Sequence, residues 1–97
     1  MSRDYKNFPN NLRKHRKGMN LSQRDVANVL GFKNASLISR WERGITLPSG
    51  ILLFKLSALY GRQIEELFID HYRAIKEEVL TKKEEILKSR QDSNEKK

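Results

Sequence analysis

The stretch LSQRDVANVLGFKNASLISRWERG, residues 21–44, decides the fold. Ser22 stands where a helix can begin. Its hydroxyl can cap the free amides of a first turn, Asp25 can reach back from three residues on, and Leu21 and Val26 can staple across the cap. Val26, Ala27 and Leu30 then face inward, and Gly31 ends the run. A second helix is expected from about Ala35 to Arg43, with Ile38 and Trp41 three apart on one face and Gly44 as terminator. Ala27 and Gly31 are expected where the two helices cross, because large side chains there would push them apart. With Ile38 and Trp41 anchoring the second helix from beneath, its opposite face must project outward.

Outward from this core, the same punctuation divides the rest of the chain. Toward the N-terminus a helix is expected from about Pro9 to Lys17, with proline in the first turn, where its missing N–H costs nothing. Phe8, Leu12 and the stem of Arg16 share a face, and Gly18 and Asn20 stop the helix. Toward the C-terminus, Leu47-Pro48-Ser49 breaks the chain and caps a fourth helix through Tyr60, carrying Leu52, Leu53, Leu56, Leu59 and Tyr60. Gly61 closes it, and a turn or two follows from about Ile64 to Phe68. A long helix is expected from Asp70 to about Arg90, with a polar, frayed tail from Gln91 to Lys97. There is no β-alternation of useful length. The reading is all-α, with an arm at 1–8, a compact domain at 9–68, and a C-terminal helix and tail at 69–97.

Composition narrows the function classes. The chain has 97 residues, enough for one compact domain and a tail, and no cysteine, so neither a disulfide framework nor a thiolate metal site is available. No apolar run approaches the roughly 20 residues of a membrane span, and the N-terminus holds no signal-like segment. A cytoplasmic location is therefore the default expectation. The net charge is +8. Residues 1–68 hold twelve Lys and Arg against five Asp and Glu, whereas residues 69–97 hold eight against seven. The excess positive charge thus sits on the compact part, as expected of a surface that meets phosphates.

From Leu12 to Phe68 the sequence resembles the Cro/C1-type (XRE-like) helix-turn-helix family of phage and bacterial regulators. LSQRDVANVLG, ISRWERG, LPS and a leucine-rich helix occur in that order with short spacers. The resemblance implies a five-helix lambda-repressor-like domain, here extended by a C-terminal helix, that places one short helix in the major groove of double-stranded DNA. It also implies roles for particular residues. Ser22 and Gln23 open the first helix of the motif, with Gln23 donating to a phosphate and bracing a base-contacting side chain. Ala35, Ser36 and Leu37 fall at the early recognition positions, with Ser39 and Arg40 one turn later, and Asn34 just ahead of them is a further DNA-binding candidate. Lys33 and Arg43 suit phosphates. Arg16 and Glu42 match a pair that bridges the first and third helices.

Two departures from the family pattern stand out. The segment from Phe32 to Leu37 is one residue longer than usual, so either the turn is extended or the recognition helix starts earlier. Arg62-Gln63 replaces a better-capping pair before the fifth helix.

Among the candidate readers, Arg40 has the most specific chemistry, because a guanidinium can grip guanine O6 and N7 together. Its alternative is a phosphate contact or a solvated face. Ser36 and Ser39 discriminate less, and Leu37 suits either a thymine methyl or the edge of the core. Trp41, on the face of Ile38, reads as core. His15 and His71 read as solvated or incidental. The arm from Ser2 to Lys6, with Arg3 and Lys6, is at most an accessory. No catalytic constellation, metal cluster or cofactor motif is present, and no enzymatic activity is expected. In the terminal helix Tyr72, Ile75, Val79, Ile86 and Leu87 form an apolar stripe broken around Lys82 and Lys83. It suits packing back on the domain, pairing with a second subunit, or binding another protein. The expectation is a sequence-specific regulator, a repressor acting as a homodimer. The competing reading is an antitoxin-like or adaptor protein that holds a partner on the terminal helix.

Overall fold

The computed structural model describes residues 8–95, and side chains as far as residue 92. The expected arm, with Arg3 and Lys6, lies outside the described residues apart from Phe8. Six helices follow one another: α1 Leu12–Gly18, α2 Gln23–Leu30, α3 Ser36–Glu42, α4 Gly50–Tyr60, α5 Ile64–Leu67 and α6 Ile69–Glu95. No strand occurs among the described residues, and none of the helices is long and apolar enough to cross a membrane.

The first five helices enclose one core. Leu12 of α1, Val26, Ala27 and Leu30 of α2, Ile38 and Trp41 of α3, Leu56 and Tyr60 of α4, and Leu67 and Phe68 at α5 are all buried. Leu21, Leu52, Leu53, Leu59 and Ile64 pack around its edge. Phe32 meets Trp41 edge-on at 5.9 Å between ring centres, the arrangement that ring quadrupoles favour.

Local capping chemistry sets most boundaries. The Ser22 hydroxyl accepts from the Asp25 amide at 3.0 Å, and the Asp25 carboxylate accepts from the Ser22 amide at 2.8 Å, closing a reciprocal box. Gly31 and Gly61 end α2 and α4 in left-handed conformations. Gly31 corrects one expectation. A Cβ added there would meet nothing within 4 Å, so φ of +83° demands this glycine, and close packing of helices does not.

Three boundaries and one cap also differ from the sequence reading. Pro9 lies ahead of α1 rather than inside it, because the Asn10 side chain accepts from the Leu12 amide at 3.1 Å and starts the helix there. Gly18 is the last residue of α1, and the left-handed position falls on Asn20 at φ 57°. Ser49 has N-cap backbone geometry, but its hydroxyl accepts no cap hydrogen bond. The polar run from Gln91 is helical through Glu95, since nothing in it breaks a helix.

The weak cap expected before α5 is offset from the other side. Glu66 accepts from the Gln63 amide at 3.2 Å, and Arg62 lies 3.7 Å from the same carboxylate group.

Neither histidine is incidental. His71 is buried, with its ring edge-on to Phe8 at 4.9 Å, and His15 is half-buried beside Tyr60. Both burials depend on tertiary neighbours far away in sequence. Finally, α6 is about 40 Å long at 1.5 Å per residue, which accounts for most of the molecule's 62 Å extent. Every residue from Val79 to Asp92 is exposed.

Candidate nucleic-acid interface

The outward face of α3 and the turn before it form the candidate interface. Ile38 and Trp41 are each 2% exposed, so this seven-residue helix is pinned by its inner side. Ser36, Leu37 and Arg40 consequently project outward, while Ser39 is half-buried.

The extra residue before Ile38 is absorbed by the turn. Gly31 swings the chain out of α2, Phe32 donates back to the Ala27 carbonyl at 2.8 Å, and α3 begins only at Ser36. Ala35 is its N-cap and is half-buried against the core. An alanine cannot satisfy the free amides of a helix start, and Asn34 does so instead, its Oδ1 accepting from the Ser36 amide at 3.0 Å. Asn34 therefore has an architectural task at this edge, with its amide group exposed beside Lys33.

The far end of α3 is held as firmly. The Asn10 Nδ2 donates to the Trp41 carbonyl at 2.8 Å and to its near neighbour, the Phe8 carbonyl, at 2.8 Å. The Phe8 amide donates to the Gly44 carbonyl at 3.0 Å. A Cβ on Gly44 would lie 3.1 Å from the Phe8 carbonyl oxygen, and φ is +74°, so this approach requires glycine twice over. Arg43, exposed at the C-cap, donates weakly from Nε to the Ser39 carbonyl at 3.4 Å.

Behind the interface lies a charged network. Arg16 of α1 grips Glu42 of α3 with Nε at 2.6 Å and a second guanidinium nitrogen at 3.1 Å, and its remaining arm donates to the Leu21 carbonyl at 2.9 Å. The two side chains are only 10% and 4% exposed. The hydrogen bond to Glu42 raises the Arg16 pKa further, against the opposing effect of burial. Gln23 of α2 joins them, its Nε2 donating to Glu42 Oε1 at 3.0 Å. Burial, reinforced by the Glu42 charge, pushes the nearby Tyr60 hydroxyl up to about 12, so it stays protonated.

The structure thus brings Arg16, Gln23 and Glu42 into one cluster, and leaves Lys33, Asn34, Ser36, Leu37, Arg40 and Arg43 exposed on α3, its C-cap and the turn before it. Ser22 is spent on the α2 cap, and Ala35 on the turn. Asn10 was missed by sequence reasoning because its partners lie up to 31 positions away. The cap formed by Asn34 was legible in principle, as an asparagine two residues ahead of a helix start. Among the described residues, no three of His, Cys, Asp and Glu are grouped to hold a metal ion.

Comparison with known proteins gives two findings. A family model described as helix-turn-helix matches residues 12–67. A helix-turn-helix-type transcriptional regulator of Methanocaldococcus jannaschii, itself uncharacterised, is 38% identical over 60 residues, covering 62% of this chain and 89% of that protein. No solved structure matches.

Proposed function

The chain belongs to the helix-turn-helix family, and on that premise we propose that it is a DNA-binding transcriptional regulator, a repressor that reads duplex DNA as a homodimer. The observation that carries this reading is the edge of α3: an outer face of Ser36, Leu37 and Arg40 backed by a fully buried inner face, with exposed Lys33 and Arg43 at either end. Base-reading chemistry in the middle and phosphate-seeking charge at the flanks is the division of labour that groove recognition needs. Arg40 reads a base, and Lys33 and Arg43 hold the backbone. The relative's designation as a transcriptional regulator supports the same reading.

Two copies would set their α3 helices in successive major grooves, about 10–10.5 bp apart. Ile51 and Phe54, three apart on α4 and about two-thirds exposed, supply apolar surface of the kind a self-association uses. Selection of bound duplexes from a random-sequence pool tests both statements together. A motif repeated with two-fold symmetry at that spacing is expected. A single unrepeated motif overturns the dimer, and an unenriched pool overturns selective reading.

A second reading is favoured by α6, which projects from the body with Val79, Leu80, Ile86 and Leu87 all exposed. In it the chain is an antitoxin-like or adaptor protein whose terminal helix holds a protein partner, DNA binding serving autoregulation. Co-purification of a partner that is lost when residues 79–97 are removed is the outcome this reading requires.

A further inference from the structure

The distal half of α6 carries a charge pattern that specifies what can cover it. At 100° per residue, Lys76, Lys83 and Arg90 recur every seven positions and stay within roughly 40° of one line along the helix. Val79 and Ile86 run along one side of that basic row, and Leu80 and Leu87 along the other. All four apolar side chains are exposed, Leu80 least at 38%. Glu77, Glu84 and Glu85 lie away from this row, while Glu78 and Lys82 border it beside Val79 and Ile86.

We propose that this face docks an acidic amphipathic helix of a partner protein. Carboxylates of the partner meet Lys76, Lys83 and Arg90, and its flanking apolar side chains cover the two rows beside them. The inference rests on the second reading above and names the partner's chemistry.

The pattern selects against the other occupants. A second copy laid face to face, in either direction, sets one basic row against another. The acidic back of a second copy has no apolar residue at Glu77, Thr81, Glu84, Glu85 or Lys88 to meet the two apolar rows. Such a front-to-back contact also does not close into a symmetric dimer. DNA phosphates would satisfy the cations but leave four large apolar groups in water. An interfacial membrane helix keeps its basic residues on the polar face, away from the apolar one, whereas here they run down the middle of it. A cation enclosed by apolar neighbours needs a counter-charge at close range, and a carboxylate row supplies one at each position.

The test uses the full chain and two synthetic helical peptides of about three heptads. Both carry leucines flanking a row at seven-residue spacing; one has Glu along the row, the other Lys. The Glu peptide is expected to bind, by fluorescence anisotropy. The triple variant K76E/K83E/R90E is expected to lose it by at least about tenfold and to gain the Lys peptide. L80S/L87S is expected to weaken the Glu peptide. Helical content of each variant should equal that of the parent chain, since these side chains lie outside the buried core, Lys76 resting over Tyr72 of the same helix; unchanged DNA binding is expected of the charge-neutral L80S/L87S variant.

Equal or tighter binding of the Lys peptide by the parent chain overturns the acidic partner while leaving a partner on α6 standing. Binding of neither peptide overturns the proposal. Self-association or uptake onto phosphatidylglycerol vesicles that L80S/L87S abolishes overturns both the proposal and the reading beneath it.

Discussion

Arg16 and Glu42, 26 positions apart, form a two-pronged ion pair almost wholly removed from solvent, with Gln23 donating to the same carboxylate. Removing one member strands the other in a site where water cannot replace it. Arg16→Ala is therefore expected to cost about 3 kcal/mol, a large part of the stability of a small domain. Urea denaturation measures it; a loss under about 1 kcal/mol would show that the pair is solvated in solution.

Gly31 and Gly44 share a positive φ but differ in their surroundings. Gly31→Ala should cost only the left-handed backbone penalty, about 1–2 kcal/mol. Gly44→Ala adds a collision with the Phe8 backbone at 3.1–3.2 Å, which cannot swing aside as a side chain can. G44A is thus expected to melt clearly below G31A. Equal melting temperatures would show that the segment around Phe8 moves freely.

The Ser22 hydroxyl accepts one amide of α2. Ser22→Ala is expected to destabilise by about 1 kcal/mol, and Ser22→Asn to retain most of the stability. The Ser22 backbone amide first, and then the Ser22 side chain, hold the Asp25 carboxyl below its usual range. This contribution is present above the ordinary carboxylate pKa and is lost as pH falls through the depressed value. A parent chain whose stability converges in acid on that of an Asp25→Asn variant would show it.

His15 has a lowered pKa, from burial first and then from the Arg62 and Lys14 charges. The unfolded chain therefore takes up this proton more readily than the folded one. Stability is expected to fall as pH drops through 6.5, the ordinary histidine value, toward the depressed folded value, and to be insensitive to His15 above it. His15→Asn should flatten the urea midpoint between pH 7.5 and 5; an unchanged slope would place the proton elsewhere.

On the proposed function, substitutions at Arg40 and Arg43 separate reading from holding. Arg40→Ala is expected to relax selectivity at one base pair, by about 1–3 kcal/mol. Arg43→Ala should weaken operator and random duplexes alike and reduce the salt dependence by about one phosphate. Equal losses on both duplexes for R40A would reassign that guanidinium to the backbone.

What the sequence disclosed follows the range of the interactions. The box at Ser22 and Asp25 spans three residues, and the inward face of α3 needs only Ile38 and Trp41, so both are visible as local spacing. Exposure of Arg40 then follows as the complement of that buried face. The lock by Asn10 on the Trp41 carbonyl and the burial of His71 against Phe8 need tertiary proximity, which periodicity does not encode. Gln23 shows the same limit at the site: its hydrogen bond to Glu42 joins residues 19 apart on different helices. For Gly31 the residue was legible and the reason was not, since a turn glycine and a packing glycine look alike in one sequence.

The fastening of Phe8 and Asn10 to the end of α3 has a thermodynamic consequence. If α3 is the reading helix proposed above, a helix tied at its Trp41 carbonyl and capped at its first amide has little left to order when a groove arrives. The heat-capacity change of association should then scale with the contact area alone, without the added increment that coupled folding brings. Calorimetry across temperature would register this rigidity as a shallow slope, and Asn10→Ala as a steeper one.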